Sequence, residues 1–182
     1  MSENYLWAPP AVASVPVKGK TERFPVQRLF FVGRNYHAHA ADHEMELVIA
    51  IGKPGFRVSH DRAQEVIYGY ACGLDMTRRD LQLDARDKGR PWDLGKDFEE
   101  ASVMAEIVPM PGVVLTNNAL SLKVNGQIRQ QSTVDKLIWD IREIIADLSL
   151  FYHLQPGDLI YTGTPEGVAA VVPGDLLEGQ IE

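Results

Sequence analysis

The sequence predicts an α+β domain dominated by β structure, and three observations carry that expectation. Residues 44–51 alternate, with Met45, Leu47, Ile49 and Ile51 on one side and Glu44, Glu46, Val48 and Ala50 on the other, which is the period of a strand. Leu122-Lys123-Val124-Asn125-Gly126-Gln127-Ile128 reads as two alternating strands joined by a two-residue Asn-Gly turn. Against these strands stands one long amphipathic helix, in which Val134, Leu137, Ile138, Ile141, Ile144, Ile145 and Leu148 recur at helical spacing, with Ser132 or Thr133 as cap. At 182 residues the chain suits a single globular domain with its own core.

In chain order, residues 1–20 are rich in Pro, Ala and Val without periodicity and read as an extended arm, so the chain divides into an arm over 1–23 and a body over 24–182. Residues 24–32 form a first apolar strand that Gly33 ends, and Asn35 is placed to cap a short helix through Tyr36, His39 and Asp42. After the strand at 44–51, a Gly-Lys-Pro-Gly turn at 52–55 leads to a short helix near Ala63 and to a strand over 66–74. That strand has unlike faces: Tyr68, Tyr70, Cys72 and Leu74 on one, and Gly69, Ala71, Gly73 and then Asp75 on the other. Small residues in a row predict that something packs closely against them. Thr77 with Asp80 three residues on resembles a capping box, the charged stretch 84–97 reads as a loop or lid, and Gln155-Pro156-Gly157-Asp158 turns into a strand over 159–161. Thr162-Gly163-Thr164-Pro165 ends that strand in a tight loop, and a turn at Pro173-Gly174-Asp175 opens the last one.

Composition excludes several function classes. A formal net charge of −7 with no Lys/Arg cluster repels a phosphate backbone, so nucleic acid is not a partner. No apolar run approaches the ~20 residues a bilayer span needs, and the first ten residues lack a basic then apolar leader, which predicts a cytoplasmic protein. The single cysteine, Cys72, lies in an apolar run and reads as structural.

The acids suggest the chemistry. Glu44 and Glu46, two apart on a strand, carry their heads on one face roughly 6.5–7 Å apart at the backbone, close enough to converge on one ion. Two acids are also what a solvated strand face carries, but Val48 and Ala50 on the same face are apolar, and like charges on a partly buried face repel unless a cation lies between them. Asp75, ending the next strand, adds a third carboxylate, although N-terminal capping of a helix would also use it. An all-oxygen set suits Mg²⁺, Mn²⁺ or Ca²⁺ and not zinc.

Six separated motifs then carry a resemblance. Val32-Gly33-Arg34-Asn35-Tyr36-x-x-His39, His43-Glu44-Met45-Glu46-Leu47, Leu74-Asp75-Met76-Thr77-x-Arg79-Asp80-Leu81-Gln82, Lys96, Val124-Asn125-Gly126 and Thr162-Gly163-Thr164-Pro165-x-Gly167-Val168 stand in the order found in the fumarylacetoacetate hydrolase family, and look most like its small single-domain members, the acylpyruvases and fumarylpyruvate hydrolases. The resemblance implies a mixed sheet rolled on itself with peripheral helices, a catalytic domain over 24–182 and a homodimer. It implies metal ligation by Glu44, Glu46 and Asp75, water activation by His39, and contacts to a bound keto acid from Arg79, Gln82 and Lys96, with Thr164 on the substrate carboxylate. Asp42 lies about where the family pairs an acid with its histidine.

The implied reaction is metal-dependent hydrolysis of the carbon–carbon bond of an acylpyruvate, such as fumarylpyruvate, to pyruvate and a carboxylic acid, within aromatic catabolism. Oxaloacetate decarboxylation, a related isomerase or hydratase activity, and a silent keto-acid binding protein are the alternatives. One spacing departs from the family. Relatives carry a few dozen residues between the histidine and the His-Glu-x-Glu strand, whereas here the chain runs from His39 to Glu44 almost at once, so a lid segment is expected to be missing between 39 and 44 and the residues flanking that junction to lie far apart.

Overall fold

A computed structural model describes residues 8–33, 35–36 and 43–182. In chain order the elements are β1 (Ser14–Val15), β2 (Phe24–Pro25), β3 (Leu29–Phe31), β4 (Met45–Ile51), a 3₁₀ helix (His60–Val66) and β5 (Ile67–Asp75). Then come α1 (Arg79–Asp87), α2 (Asp93–Lys96), β6 (Ser102–Met104), β7 (Val108–Pro109), β8 (Ala119–Val124) and β9 (Gln127–Thr133). A 3₁₀ turn (Val134–Lys136), α3 (Ile141–Phe151), β10 (Leu159–Tyr161) and β11 (Leu177–Ile181) complete the fold. The expected β-dominated α+β architecture is what forms. The main sheet runs β3-β10-β4-β5-β6, with β7 also on β5, and it is mixed because β10 runs parallel to β3 and antiparallel to β4. A second sheet, β11-β8-β9, curls over one side of it.

The alternation in β4 explains the layering. Met45, Leu47, Ile49 and Ile51 enter the core shared with Leu120, Leu122 and α3. Val48 and Ala50 enter a second core with Val15, Val17, Phe24, Ala71, Ile107 and Tyr161. Because both faces are covered, every residue of β4 is buried, Glu46 included. The small face of β5 is occupied as expected: a Cβ on Gly73 would lie 2.5 Å from Tyr161 Cε1 and 2.6 Å from Val48 Cγ2. Tyr68 departs from the face expected for it, because the pairing of β4 with β5 shifts register between Ala50 and Ile51; its ring packs on Phe24 at 5.6 Å.

The Asn-Gly hairpin forms with both turn residues at positive φ, 52° for Asn125 and 76° for Gly126, as a two-residue turn between twisted strands demands. Other expectations need correction. The strand over 24–32 is two strands in different sheets: Pro25 cannot donate to a ladder, Gln27 N–H turns to Gly157 O at 2.9 Å, and Arg28 swings to the buried Asp158, with Nε on Oδ1 at 2.9 Å. The long helix begins at 141 and not after 133, since Asp140 and Glu143 form a reciprocal capping box and the chain before them is held by Asn35. Asn35 ties that chain down, its amide donating to Trp139 O and Thr162 O and accepting from Trp139 N–H, while the helix it is expected to cap falls outside the described residues. The charged stretch 84–97 is largely helical, with α1 continuing to Asp87 and α2 over Asp93–Lys96. Residues 1–7 of the arm, and the helix and junction expected over 37–42, lie outside the described residues.

Replacing Gly73 by Ala should lower the free energy of unfolding by about 1–3 kcal/mol, the usual cost of overpacking a core whose neighbours are a ring edge and a β-branched methyl. Urea unfolding followed by circular dichroism would measure it, and a variant as stable as the parent would mean that the β5–Tyr161 contact yields freely.

Candidate metal and substrate site

The acids meet at one corner of the main sheet. Glu46 pairs across β4 and β5 with Gly73, so no side chain shields it on that neighbour, and Asp75 ends β5 with its N–H on Glu44 O at 2.8 Å. One carboxylate oxygen from each of Glu44, Glu46 and Asp75 lies within 4.8 Å of the others. Glu46 and Asp75 are 3% and 4% exposed, too little for water to relieve their repulsion. Burial, then Asp75, pushes the Glu46 carboxyl well above its usual range, against the pull of Gly163 N–H at 2.7 Å. Burial likewise raises Asp75 to about 6, although Lys96 pulls it down.

Basic groups answer the acids. Lys96 Nζ donates to Glu44 Oε2 at 2.8 Å, Asp75 Oδ2 at 2.8 Å and Thr77 Oγ1 at 2.7 Å, which uses all three of its donors. Arg79 Nη2 donates to Glu44 Oε1 at 2.9 Å, and Nη1 donates to Gln82 Oε1. Thr77 therefore does not cap α1; its hydroxyl is drawn into the cluster, donating to Glu44 Oε1 at 3.3 Å, and the residue before the helix makes no side-chain cap. Three oxygen ligands at this separation, two of them buried and raised toward protonation, have the chemistry of a divalent-cation site.

Glu44, Glu46, Asp75, Arg79, Gln82, Lys96 and Thr164 all border one cleft of about 680 Å³. His39 and Asp42 lie outside the described residues. Thr164 is nearly buried, its hydroxyl donating to Met45 O and accepting from Gln130 Nε2, both at 2.8 Å. A substrate carboxylate taking a proton from that hydroxyl must displace Met45 O.

Several positions in or behind the cleft are not marked by the motifs above. Gln130 of β9 is 1% exposed; its Oε1 lies 3.1 Å from His43 Nδ1 and accepts from Met45 N–H at 3.1 Å, and its Nε2 also donates to Pro165 O. The imidazole Nε2 of the buried His43 has no hydrogen-bond partner among the described residues. No local motif marks a glutamine that acts across two sheets. Leu83 and Arg86 also border the cleft, and their signal was available: with Arg79 and Gln82 they occupy positions i, i+3, i+4 and i+7 of α1. Cys72 is structural in its surroundings, with burial pushing the thiol up to about 11. No helix among the described residues is long and apolar enough to cross a membrane.

The chain matches the family model "Fumarylacetoacetate (FAA) hydrolase C-terminal" over residues 12–182. It is 72% identical over 148 residues to a fumarylpyruvate hydrolase of Ralstonia sp, an alignment covering 81% of this chain and 74% of that protein. It is 37% identical over 183 residues to the mitochondrial oxaloacetate tautomerase of Rattus norvegicus, covering 100% of this chain and 78% of that protein. A crystal structure of fumarylpyruvate hydrolase from Pseudomonas aeruginosa in complex with Mn²⁺ and pyruvate aligns with a TM-score of 0.93 at 38% identity, covering 98% of this chain and 94% of that one.

Glu46→Gln keeps an acceptor for Gly163 N–H while removing a buried charge. The metal-free variant should melt higher than the metal-free parent. Saturating Mn²⁺ or Mg²⁺ at a hundredfold over Kd should stabilise the parent by about 2.7 kcal/mol and the variant far less. Equal cation-induced shifts in differential scanning fluorimetry would remove Glu46 from the site.

Proposed function

The chain belongs to the fumarylacetoacetate hydrolase family, and from that premise we propose that it hydrolyses an acylpyruvate, fumarylpyruvate in the first instance, to pyruvate and a carboxylic acid. The observation that carries this reading is the convergence of Glu44, Glu46 and Asp75 with Lys96 and Arg79 in one cleft. It is supported by the 0.93 TM-score to an enzyme crystallised with Mn²⁺ and pyruvate, and by the 72% identity to a fumarylpyruvate hydrolase.

Glu44, Glu46 and Asp75 are the residues that would hold a divalent cation, Mg²⁺ or Mn²⁺. When bound, such a cation would polarise the keto-acid oxygens and supply positive charge for the transition state. With the carboxylate oxygens committed to it, Lys96 would keep Thr77 and have two donors for the substrate. Arg79 and Gln82 orient the keto-acid end, and Thr164 receives its carboxylate. His39, with Asp42 as the acid the family pairs with it, would take a proton from water, whose hydroxide adds to the distal carbonyl carbon. The bond between that carbon and the adjoining methylene then breaks, its electron pair passing to the pyruvate fragment, where Lys96 stabilises the developing negative charge until the methylene carbon is protonated. A homodimer and a cytoplasmic setting in aromatic breakdown belong to the same proposal; the exposed Leu150, Phe151 and Tyr152 offer an apolar surface for the former.

Steady-state rates on fumarylpyruvate, acetylpyruvate and oxaloacetate with the cation present test the reading, which fails if oxaloacetate alone is consumed. Lys96→Met keeps the apolar stem and removes the charge. If Lys96 acts on developing charge, kcat should fall by about 10²–10³-fold with KM little changed. A rise in KM at constant kcat would recast it as a substrate clamp.

A further inference from the structure

We infer that Arg86, at the outer end of α1, is the specificity residue of the cleft and binds the far carboxylate of a dianionic acylpyruvate. This rests on the acylpyruvate reading above and extends it to the choice of substrate.

The helix supplies the ruler. Arg79, Gln82, Leu83 and Arg86 share the face of α1 that borders the cleft. Seven residues of helix separate the Cα atoms of Arg79 and Arg86 by roughly 10.5 Å. Between the two carboxylate carbons of a seven-carbon acylpyruvate lie six bonds, which extended reach roughly 7 Å, the span of two extended residues. A carboxylate-to-guanidinium contact at the outer end takes up the remainder. With its keto-acid end beside Arg79 and the acid cluster, such a substrate sets its far carboxylate against Arg86.

The lining between the two arginines has the matching polarity. Leu83, Trp92 and Phe31 border the cleft and leave much of their apolar surface open, 38%, 38% and 46%. The Phe31 ring is fixed by stacking on Tyr161 at 4.7 Å. An unsaturated four-carbon acyl group fits such a wall, and a polar chain does not. Arg86 is held only weakly at present. Its Nε and Nη2 donate to Asp87 Oδ1 at 3.1 and 3.0 Å, and both side chains are more than half exposed. An ion pair of that kind is worth at most about 1 kcal/mol, and a substrate carboxylate can replace it with a two-point contact.

Arg86→Gln and Arg86→Lys in the cation-loaded protein test this, with fumarylpyruvate compared against acetylpyruvate, which has the same keto-acid head and no far carboxylate. Arg86→Gln should raise KM for fumarylpyruvate by roughly 10–100-fold, the loss expected for a charge-assisted hydrogen bond, with kcat little changed. KM for acetylpyruvate should stay within about twofold of the parent, and Arg86→Lys should recover part of the loss. Equal losses on both substrates, or none on either, overturn the proposal. Calorimetric titration with fumarate and with pyruvate separates this from failure of the underlying reading. A parent that turns over neither acylpyruvate refutes the reading, and the subsite still stands if Arg86→Gln weakens fumarate and leaves pyruvate unchanged; it falls if fumarate binding is unaltered.

Discussion

Glu46 faces a glycine across β4 and β5, and Asp75 N–H donates to Glu44 O, so backbone hydrogen bonds alone press three acids into one corner of the sheet. Two full charges about 4 Å apart at an effective dielectric of about 20 repel by about 4 kcal/mol. Much of the surrounding arrangement answers that compression. Lys96 is ligated by two of the acids and by Thr77, Arg79 leans on Glu44, and the Thr-Gly-Thr-Pro loop turns Gly163 N–H onto Glu46. Gly163 can do so at a φ of 101°, with its Cα so close to Asn35 that a Cβ would lie 2.8 Å from the Asn35 Cβ. The loop, α1 and α2 are thus placed by the acids as much as by the core.

The same corner explains what could be seen in the sequence. Glu44, Glu46 and Asp75 were legible because strand periodicity assigns a face to every residue, and the glycine-bearing face of β5 announced a close neighbour that proved to be Tyr161. The hairpin was legible because only a few residues accept positive φ at both turn positions. What stayed hidden depends on partners distant in sequence. Thr77 looks like a helix cap until Glu44 and Lys96 claim its hydroxyl. The run from Val134 has helical spacing, yet Trp139 is bound on both its N–H and its C=O by Asn35, more than a hundred residues earlier, and the helix waits for Asp140. Residues 24–32 look like one strand because what parts β2 from β3, the turn of Gln27 and Arg28 toward Gly157 and Asp158, depends on partners more than a hundred residues later.

A second polar network ties the two sheets together behind the acids. Gln130 reaches from β9 to Met45 N–H, His43, Thr164 and Pro165, and Thr164 closes the circuit on Met45 O. Each of these groups is buried, so each unmade bond would cost on the order of 1–3 kcal/mol. The network therefore sets the height of the Thr-Gly-Thr-Pro loop over β4, and with it the distance between Gly163 N–H and Glu46. A single side chain on the small sheet thereby helps to hold the loop whose Gly163 N–H meets a carboxylate on the large one.

Rigidity at the acid corner has a consequence for how such a site can vary. Every residue of β4 is packed on both faces, and Gly73 has no room for a methyl group, so changes there cost core stability before they alter chemistry. The outer half of α1 is different: Leu83, Arg86 and the following Trp92 are exposed, and Gln82 is the only buried residue of the helix. Substitutions at exposed helical positions usually shift stability by less than about 0.5 kcal/mol. A family can therefore keep one charge-stabilising corner and exchange substrates by rewriting α1 and the turn after it. In this chain the rewritten face carries a base at its far end and apolar groups before it. The acids and bases bordering the cleft are equal in number, Glu44, Glu46 and Asp75 against Arg79, Arg86 and Lys96. A divalent cation would leave that lining with an excess of two positive charges, the complement of a dianion, whereas without Arg86 the excess would match a monoanion.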